Sequence, residues 1–483
     1  MGDDIVVSSS TVVNSLWWKI LERLTSQGLN LVIQIVLARL LLPEDFGNLA
    51  IISSIIGYCT VFVQSGLSTV IVQKNNLEKD DVSTMLVSSL GIALVLYLFL
   101  FWGASYISRL YDTDELVWPL RIQSLILFLG AINSIQVALF SRVMQFKAIF
   151  FRSILSVPIS GFIGIAMALA GYGIWALIAQ SIASYLITII YMSFNPLAQL
   201  NWGFNWERAK KMYAFSGNIL LSGLVSTTGD TVRTMLIGKK YNAKALGYYD
   251  KGYSYSSLVT QIITLSMTSV MLPVFSRRQT DKQEVLRMAR KSVSLTSFFM
   301  VPVLFAVIGM AEPFVILVLS EKWSPCIPFL MLFCLLRLPC CITNIDKQVY
   351  YALGNSSVGL YYEVFLLFAN IIMLIITVPI SIMAIAVGAT IVEFIGFIIL
   401  VLYSHYYFDY KILDRFRDLF KPIVNSTIML AGILWLNTLD ASYGIKIALQ
   451  LLAAIVIYFT GVAVLRDKNA LYIYQIFKSK LSK

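Results

Sequence analysis

Apolar stretches of eighteen or more residues recur along the whole chain, separated by short polar turns. Fourteen such stretches can be drawn: 15–41, 46–72, 83–107, 117–140, 150–171, 173–194, 213–238, 246–274, 291–319, 326–352, 358–378, 382–405, 420–438 and 442–464. Runs of this length are long enough to cross a bilayer as helices. Backbone N–H and C=O groups in hydrocarbon must be paired within their own segment, which makes each span a helix. The ten-residue alternation of a membrane barrel is absent from the sequence. The pattern therefore predicts an all-α polytopic membrane protein of about fourteen transmembrane helices.

Several of these spans carry polar stripes. In span one, Arg23, Gln27, Asn30 and Gln34 recur at steps of four, three and four, which places them on one helix face, and Lys19 extends the row. Span seven carries Asn218, Ser222, Ser226, Asp230 and Arg233; span ten carries Arg337, Cys341, Asn344, Gln348 and Tyr351. Span eight opens on Tyr248, Tyr249, Asp250, Tyr253 and Tyr255, and Glu363 and Glu393 stand singly in spans eleven and twelve. A charge at the bilayer centre costs about 2.5–3.5 kcal/mol on insertion scales, so such stripes face other helices or water. Hydroxyls and amides such as Ser222 and Ser226 fit interhelical bonding, worth about 0.6 kcal/mol each. The ionisable groups Arg23, Asp230, Arg233, Arg337, Glu363 and Glu393 fit a hydrated cleft better. Asp230 and Arg233, three apart, also fit a self-satisfied pair.

A weak repeat runs through the chain. ARLLLPEDFGNLAI at 38–51 matches the pattern of IGKKYNAKALGYYD at 237–250, with Arg39 on Lys239 and Phe46-Gly47 on Leu246-Gly247. Further on, Gln136-Val137 falls on Gln348-Val349, and IWALIA at 174–179 on AIAVGA at 384–389. The order implies two six-helix halves of like orientation, 1–200 and 201–405, followed by 406–483 with two additional helices and a basic tail. Parallel halves of this kind suit a transporter with its site between them.

Composition agrees with the pattern. Apolar residues make up 58%, charged residues 13%, and the mean hydropathy is +0.79. A soluble domain carries about 25% charged residues. The net charge of +11 invites a nucleic-acid reading in a soluble protein. Here the Lys and Arg gather in alternate loops, which instead sets both termini in the cytoplasm. The segment 239–251, with four lysines, is the exception on the outer side. MGDDIVVSSSTVV is acidic and lacks a basic start, which argues against a cleaved signal.

No connection is long enough for a soluble catalytic domain. The sequence holds no HExxH, GxGxxG or GxxxxGKS, its five cysteines form no CxxC pair, and its single histidine, His405, lies at a helix end. Neither an enzyme nor a cofactor or metal site is expected.

The segments ARLLLPEDFGNLAI, QSGLSTVIVQ, IGKKYNAKALGYYDKGYSYSSL and MLPVFSR, in that order, resemble polysaccharide flippases of the Wzx type, which belong to the multidrug/oligosaccharidyl-lipid/polysaccharide exporter superfamily. The likeness spans roughly 14–405. It implies translocation of an undecaprenyl-diphosphate-linked oligosaccharide by two rocking lobes in the bacterial plasma membrane, coupled to a proton or Na+ gradient. The partners implied are the lipid-linked glycan, the bilayer and other polysaccharide assembly proteins, with no nucleic acid; a monomer is the default. No strict family signature transfers to single residues, so the site is read from the stripes. Arg23, Arg233 and Arg337, with Gln27, Asn30, Gln34, Asn344 and Gln348, are the expected substrate contacts. Asp230, Glu363 and Glu393 are the expected ion-coupling carboxylates. The alternatives are a flippase for a peptidoglycan or teichoic-acid precursor, a multidrug or cation antiporter, and a membrane enzyme.

Overall fold

A computed structural model describes residues 9–64, 66–74, 76–198, 200–276, 282–353, 355, 357–408, 410–467, 469–470 and 475. Eleven of the fourteen predicted spans fall on a single helix each, and three, 46–72, 117–140 and 291–319, are each broken over more than one helical segment. The chain packs as two units, Met1–Gly247 and Tyr248–Lys483.

The first unit begins with α1 (Ser9–Leu40), α2 (Pro43–Gln64), α3 (Leu67–Gln73) and α4 (Lys79–Leu110). It continues with α5 (Val117–Gln123), α6 (Ile126–Arg142), α7 (Phe146–Leu169), α8 (Ile174–Ser193) and α9 (Trp206–Tyr241). Helix α10 (Ala243–Ser276) starts in this unit and continues into the second. The second unit holds α11 (Lys282–Gly309), α12 (Ala311–Phe314), α13 (Ile327–Ala352), α14 (Ser357–Thr377), α15 (Ile382–Phe408), α16 (Ile412–Asn437) and α17 (Tyr443–Val464). Among the described residues, eleven helical stretches are long and apolar enough to cross a membrane; α1 and α9 are not among them. These two carry the polar stripes of spans one and seven, so the figure of fourteen rests in part on helices that apolarity alone does not identify as spans.

The helix starts follow from capping chemistry. Pro43 opens α2, and the Asp45 carboxylate accepts from Leu42 N–H at 2.9 Å. Glu78 and Asp81 form a reciprocal capping box at the start of α4. Asn205 caps α9 by accepting from Arg208 N–H at 3.1 Å. In the first unit α7 packs on α8 and α1, and α9 packs along α2, α3 and α4. A core of Val70, Ile71, Val82, Met85, Leu86, Ile135 and Ala138 sits where α3, α4 and α6 meet. In the second unit α11 is sandwiched between α13 and α16, and α13 also packs on α15.

The segment 239–251, read from sequence as an outer loop, is a correction. Helix α9 runs to Tyr241 and α10 starts at Ala243, so one residue, Asn242, makes the turn. Its φ of 118° lies in the positive region that residues other than glycine seldom adopt, and its side chain caps α10 by accepting from Ala245 N–H at 2.8 Å. Lys239 pairs with Asp112 at 3.0 Å, and Lys251 is buried beside the Tyr255 ring. The four lysines are therefore helix residues, not a basic loop.

The two glycines paired by the repeat meet each other. A Cβ on Gly47 would lie 1.7 Å from the Ala243 carbonyl oxygen, and a Cβ on Gly247 would lie 2.0 Å from that of Pro43. Each helix thus rests its fifth residue on the first residue of the other, a reciprocal crossing closed by backbone against backbone.

Two predictions follow from this packing. Gly47→Ala and Gly247→Ala should each destabilise the folded protein by about 1–3 kcal/mol, because the obstructing atoms are backbone. Gly28→Ala and Gly57→Ala, with nothing near the added methyl group, should be neutral or stabilising by up to about 1 kcal/mol. Thermal unfolding of the purified variants checks the contrast. Arg415, 3% exposed, donates to both oxygens of Asp346, 4% exposed, at 2.6 and 2.9 Å. Arg415→Ala should cost about 3–5 kcal/mol by leaving a buried carboxylate without its partner. Arg417→Ala, at an exposed pair 3.9 Å apart, should cost at most about 1 kcal/mol.

Candidate functional site

The stripe of α1 is carried as one helix face. Arg23 is exposed, and Gln27, Asn30 and Gln34 are half-buried. The neighbouring Glu22 turns toward α7, where Ser153 Oγ donates to its carboxylate at 2.8 Å. On α9, the buried Arg233 guanidinium donates to Asp230, whose carboxylate is exposed. The pairing at three residues' separation is the self-satisfied arrangement that the sequence allowed. Both residues still lie on the face that the stripe defines.

In the second unit the structure brings three predicted residues into one cluster. Helix α13 carries Arg337, Asn344 and Gln348, all half-buried, along one side. Glu363 comes from α14 and Glu393 from α15. Lys347 of α13 donates to Glu363 at 2.9 Å, and the Cys340 thiol of α13 donates to Glu393 at 3.0 Å. Lys347, Arg337 and Glu363 are all close enough to act electrostatically on Glu393. The Arg337 guanidinium lies 4.5 Å from the centre of the Tyr253 ring of α10, and the Lys347 ammonium 5.6 Å from that of Tyr362. Glu363 and Glu393, single in sequence, are thus not isolated in space. Two cations, two carboxylates, a thiol and two aromatic rings share one region inside a helix bundle. Such a region can hold an anionic group through its cations and exchange a proton or small cation at its carboxylates.

Sequence reasoning missed Lys347. It lies about 80° around α13 from Arg337 at 100° per residue, on the same face as Cys340 seven residues earlier, so the stripe template passed over it. A usable signal existed. Lys347 and Glu363 stand at similar distances on either side of the short turn after α13, so antiparallel packing brings them level. Two further groups were also missed. Asp346 and Arg415 pair across α13 and α16, with the Arg415 guanidinium 4.3 Å from the Tyr410 ring centre. At the start of α9, Arg208 donates to Asp81 at 2.8 Å and to Glu78 at 2.7 Å, and Lys74 also pairs with the fully buried Asp81. Those hydrogen bonds, that to Asp81 first, hold the Arg208 guanidinium above its ordinary range.

With this geometry in place, the chain can be set against known proteins. The family described as polysaccharide biosynthesis protein matches residues 36–328. The chain is 25% identical to the succinoglycan biosynthesis transport protein ExoT of Rhizobium meliloti over 68% of its own length and 67% of ExoT. It is 23% identical to the lipopolysaccharide biosynthesis protein WzxC of Escherichia coli over 90% of its own length and 87% of WzxC. Its fold is similar to that of the lipid II flippase MurJ in an inward closed conformation, with a TM-score of 0.78 and 17% identity over 93% of this chain and 98% of MurJ. A multidrug resistance MATE transporter of the MOP superfamily in an inward-facing conformation gives a TM-score of 0.64 and 13% identity, over 79% of this chain and 94% of the transporter. The chain is a multi-pass membrane protein and belongs to the polysaccharide biosynthesis protein family.

Proposed function

We propose that this protein moves an undecaprenyl-diphosphate-linked oligosaccharide from the cytoplasmic to the outer leaflet of a bacterial plasma membrane, by alternating access and with ion coupling. The observation that carries the reading is the charged cluster of α13, α14 and α15, built inside helices of a chain whose connections are all short. Arg337 supplies a permanent cation suited to a diphosphate, and its stacking on Tyr253 fixes the guanidinium plane. The polar faces of α1 and α9 (Arg23, Gln27, Asn30, Gln34 and Arg233) would meet the sugar and phosphate groups. The glycan head is too polar for hydrocarbon and needs such a lining, while its prenyl tail can remain in lipid.

The carboxylates divide by their partners. Asp230 is engaged by Arg233 and Glu363 by Lys347. Among the described residues, Glu393 accepts from a thiol instead. Glu393 is therefore the carboxylate we assign to coupling, because neutralising it breaks no ion pair and a bound proton or Na+ would change the local charge outright. Basic residues concentrated in alternate loops place both termini in the cytoplasm. A two-lobe transporter of this kind is complete as a monomer.

Removing the protein from its host should make an undecaprenyl-linked glycan accumulate on the cytoplasmic face, as read by lipid extraction and sugar sequencing. Wild-type protein should clear it, whereas Arg337→Ala and Glu393→Gln should each transport at least about tenfold more slowly, within the usual range of coupling between sites. Unchanged glycan pools, with new sensitivity to cationic drugs, would transfer the assignment to a multidrug antiporter. Within the cluster, Lys347→Glu and Glu363→Lys should each impair transport, and the double exchange should restore part of it. Additive losses would show that the pair does not act as a unit.

A further inference from the structure

Helix α9 begins between two cavities of opposite character. One, of about 650 Å³, is walled by Lys74, Glu78, Asp81, Glu207, Arg208 and Lys211 among others. The other, of about 540 Å³, is walled by Phe62, Val87, Ile92, Val95, Phe204 and Trp206 among others, so it lies between α2, α4 and the start of α9. Residues 204–213 form the wall that both share. Asn205, Glu207, Arg208 and Lys211 line the charged cavity, while Phe204, Trp206, Ala209 and Tyr213 line the apolar one. Val95, Phe204 and Trp206 are 67%, 52% and 72% exposed, so the apolar groove opens outward. A groove open at the flank of a membrane helix opens onto acyl chains, and the charged cavity beside it lies at the polar end of the same helix.

We propose that these two cavities together form a site for one anionic phospholipid of the surrounding bilayer, distinct from the charged cluster of α13, α14 and α15. One acyl chain lies in the groove over Trp206, and the phosphate sits in the charged cavity. The cations there are not equivalent. Lys74 and Arg208 are held by Asp81 and Glu78. Lys211 forms no ion pair among the described residues, although it lines the cavity and is exposed. It is the cation available to a phosphate, with Arg208 behind it as a fixed positive group. The aromatic pair Phe204 and Trp206, with centroids 6.1 Å apart, marks the boundary where headgroup meets chain. A lipid in this position bridges α4 and α9, which meet directly at this end through the Arg208 ion pairs and through Asn205 N–H donating to Thr84 Oγ1 at 3.2 Å. The site concerns a resident lipid and stands whether or not the transport reading above holds.

Quenching of tryptophan fluorescence by brominated lipids tests the site on the full chain in vesicles. The difference between wild type and Trp206→Phe isolates the Trp206 signal. At equal mole fraction, brominated phosphatidylglycerol should quench that signal more strongly than brominated phosphatidylcholine, corresponding to about fivefold enrichment for one lysine contact. Lys211→Gln, at an exposed position that leaves the fold intact by circular dichroism, should remove the preference. Equal quenching by both lipids would reduce the groove to ordinary lipid annulus and overturn the proposal, as would a preference that survives Lys211→Gln. Displacement of the brominated phosphatidylglycerol by an equimolar polyprenyl phosphate, with none by inorganic phosphate, would assign the groove to an isoprenoid and overturn the phospholipid assignment.

Discussion

The architecture depends on a backbone contact that only glycine allows. Gly47 and Gly247 let α2 and α10 cross so closely that each rests on the first carbonyl of the other. In hydrocarbon there is little hydrophobic gain from bringing helices together, so association relies on dispersion, close backbone approach and Cα–H···O contacts. The short turns on either side are set by this crossing. Two residues, Leu41 and Leu42, connect α1 to α2, and Asn242 alone connects α9 to α10. With linkers this short, fixing the start of α2 against the start of α10 also fixes the ends of α1 and α9. Those are two of the helices that carry the polar stripes, so the placement of polar groups traces back to two missing side chains.

A second constraint governs the charges. In a medium that solvates ions poorly, a carboxylate or ammonium survives only with a partner. The second unit obeys this in graded form. Asp346 and Arg415 are almost fully buried and bind through two hydrogen bonds. Lys347 and Glu363 are half-buried and share one. Glu393 accepts a hydrogen bond from the weak donor Cys340, with Lys347 and Arg337 acting on it electrostatically. The first pair holds α13 to α16. Under the coupling role proposed for Glu393, stability and responsiveness would fall to different residues of the same unit.

The fold was largely legible in the sequence because bilayer thickness imposes a length on every span, and length is visible in a string of residues. All fourteen stretches are helical for that reason, although 46–72, 117–140 and 291–319 are each broken into more than one segment. What escaped was the geometry of turns. The 239–251 segment reads as an outer loop because four lysines gather where two spans meet, whereas the single residue Asn242 makes the turn between the helices. The site was legible in part. A stripe rule finds groups on one face of one helix, and it found Arg233, Arg337, Asn344 and Gln348. It is blind to partners on neighbouring helices, so Lys347 and the Asp346–Arg415 pair went unseen, and Glu363 looked solitary.

The helices that fail the apolarity test show why composition and function pull apart in such a chain. Helices α1 and α9 carry too many polar groups to qualify by apolarity as membrane spans. A helix wholly surrounded by lipid could not carry Gln27, Asn30 and Gln34 on one face. A helix that shows one face to protein or water and the other to lipid can. The polar excess is thus positional information: under the transport reading proposed above, it would mark the helices that border a hydrated path. The same logic applies at the start of α9, where charged and aromatic residues interleave along one turn and separate in space into two cavities. A one-dimensional average over that turn reports an unremarkable polar segment, while the helical period sorts it into a headgroup face and a chain face. In a protein of this kind the periodicity of polar groups within a span carries more functional information than the hydropathy that defines the span.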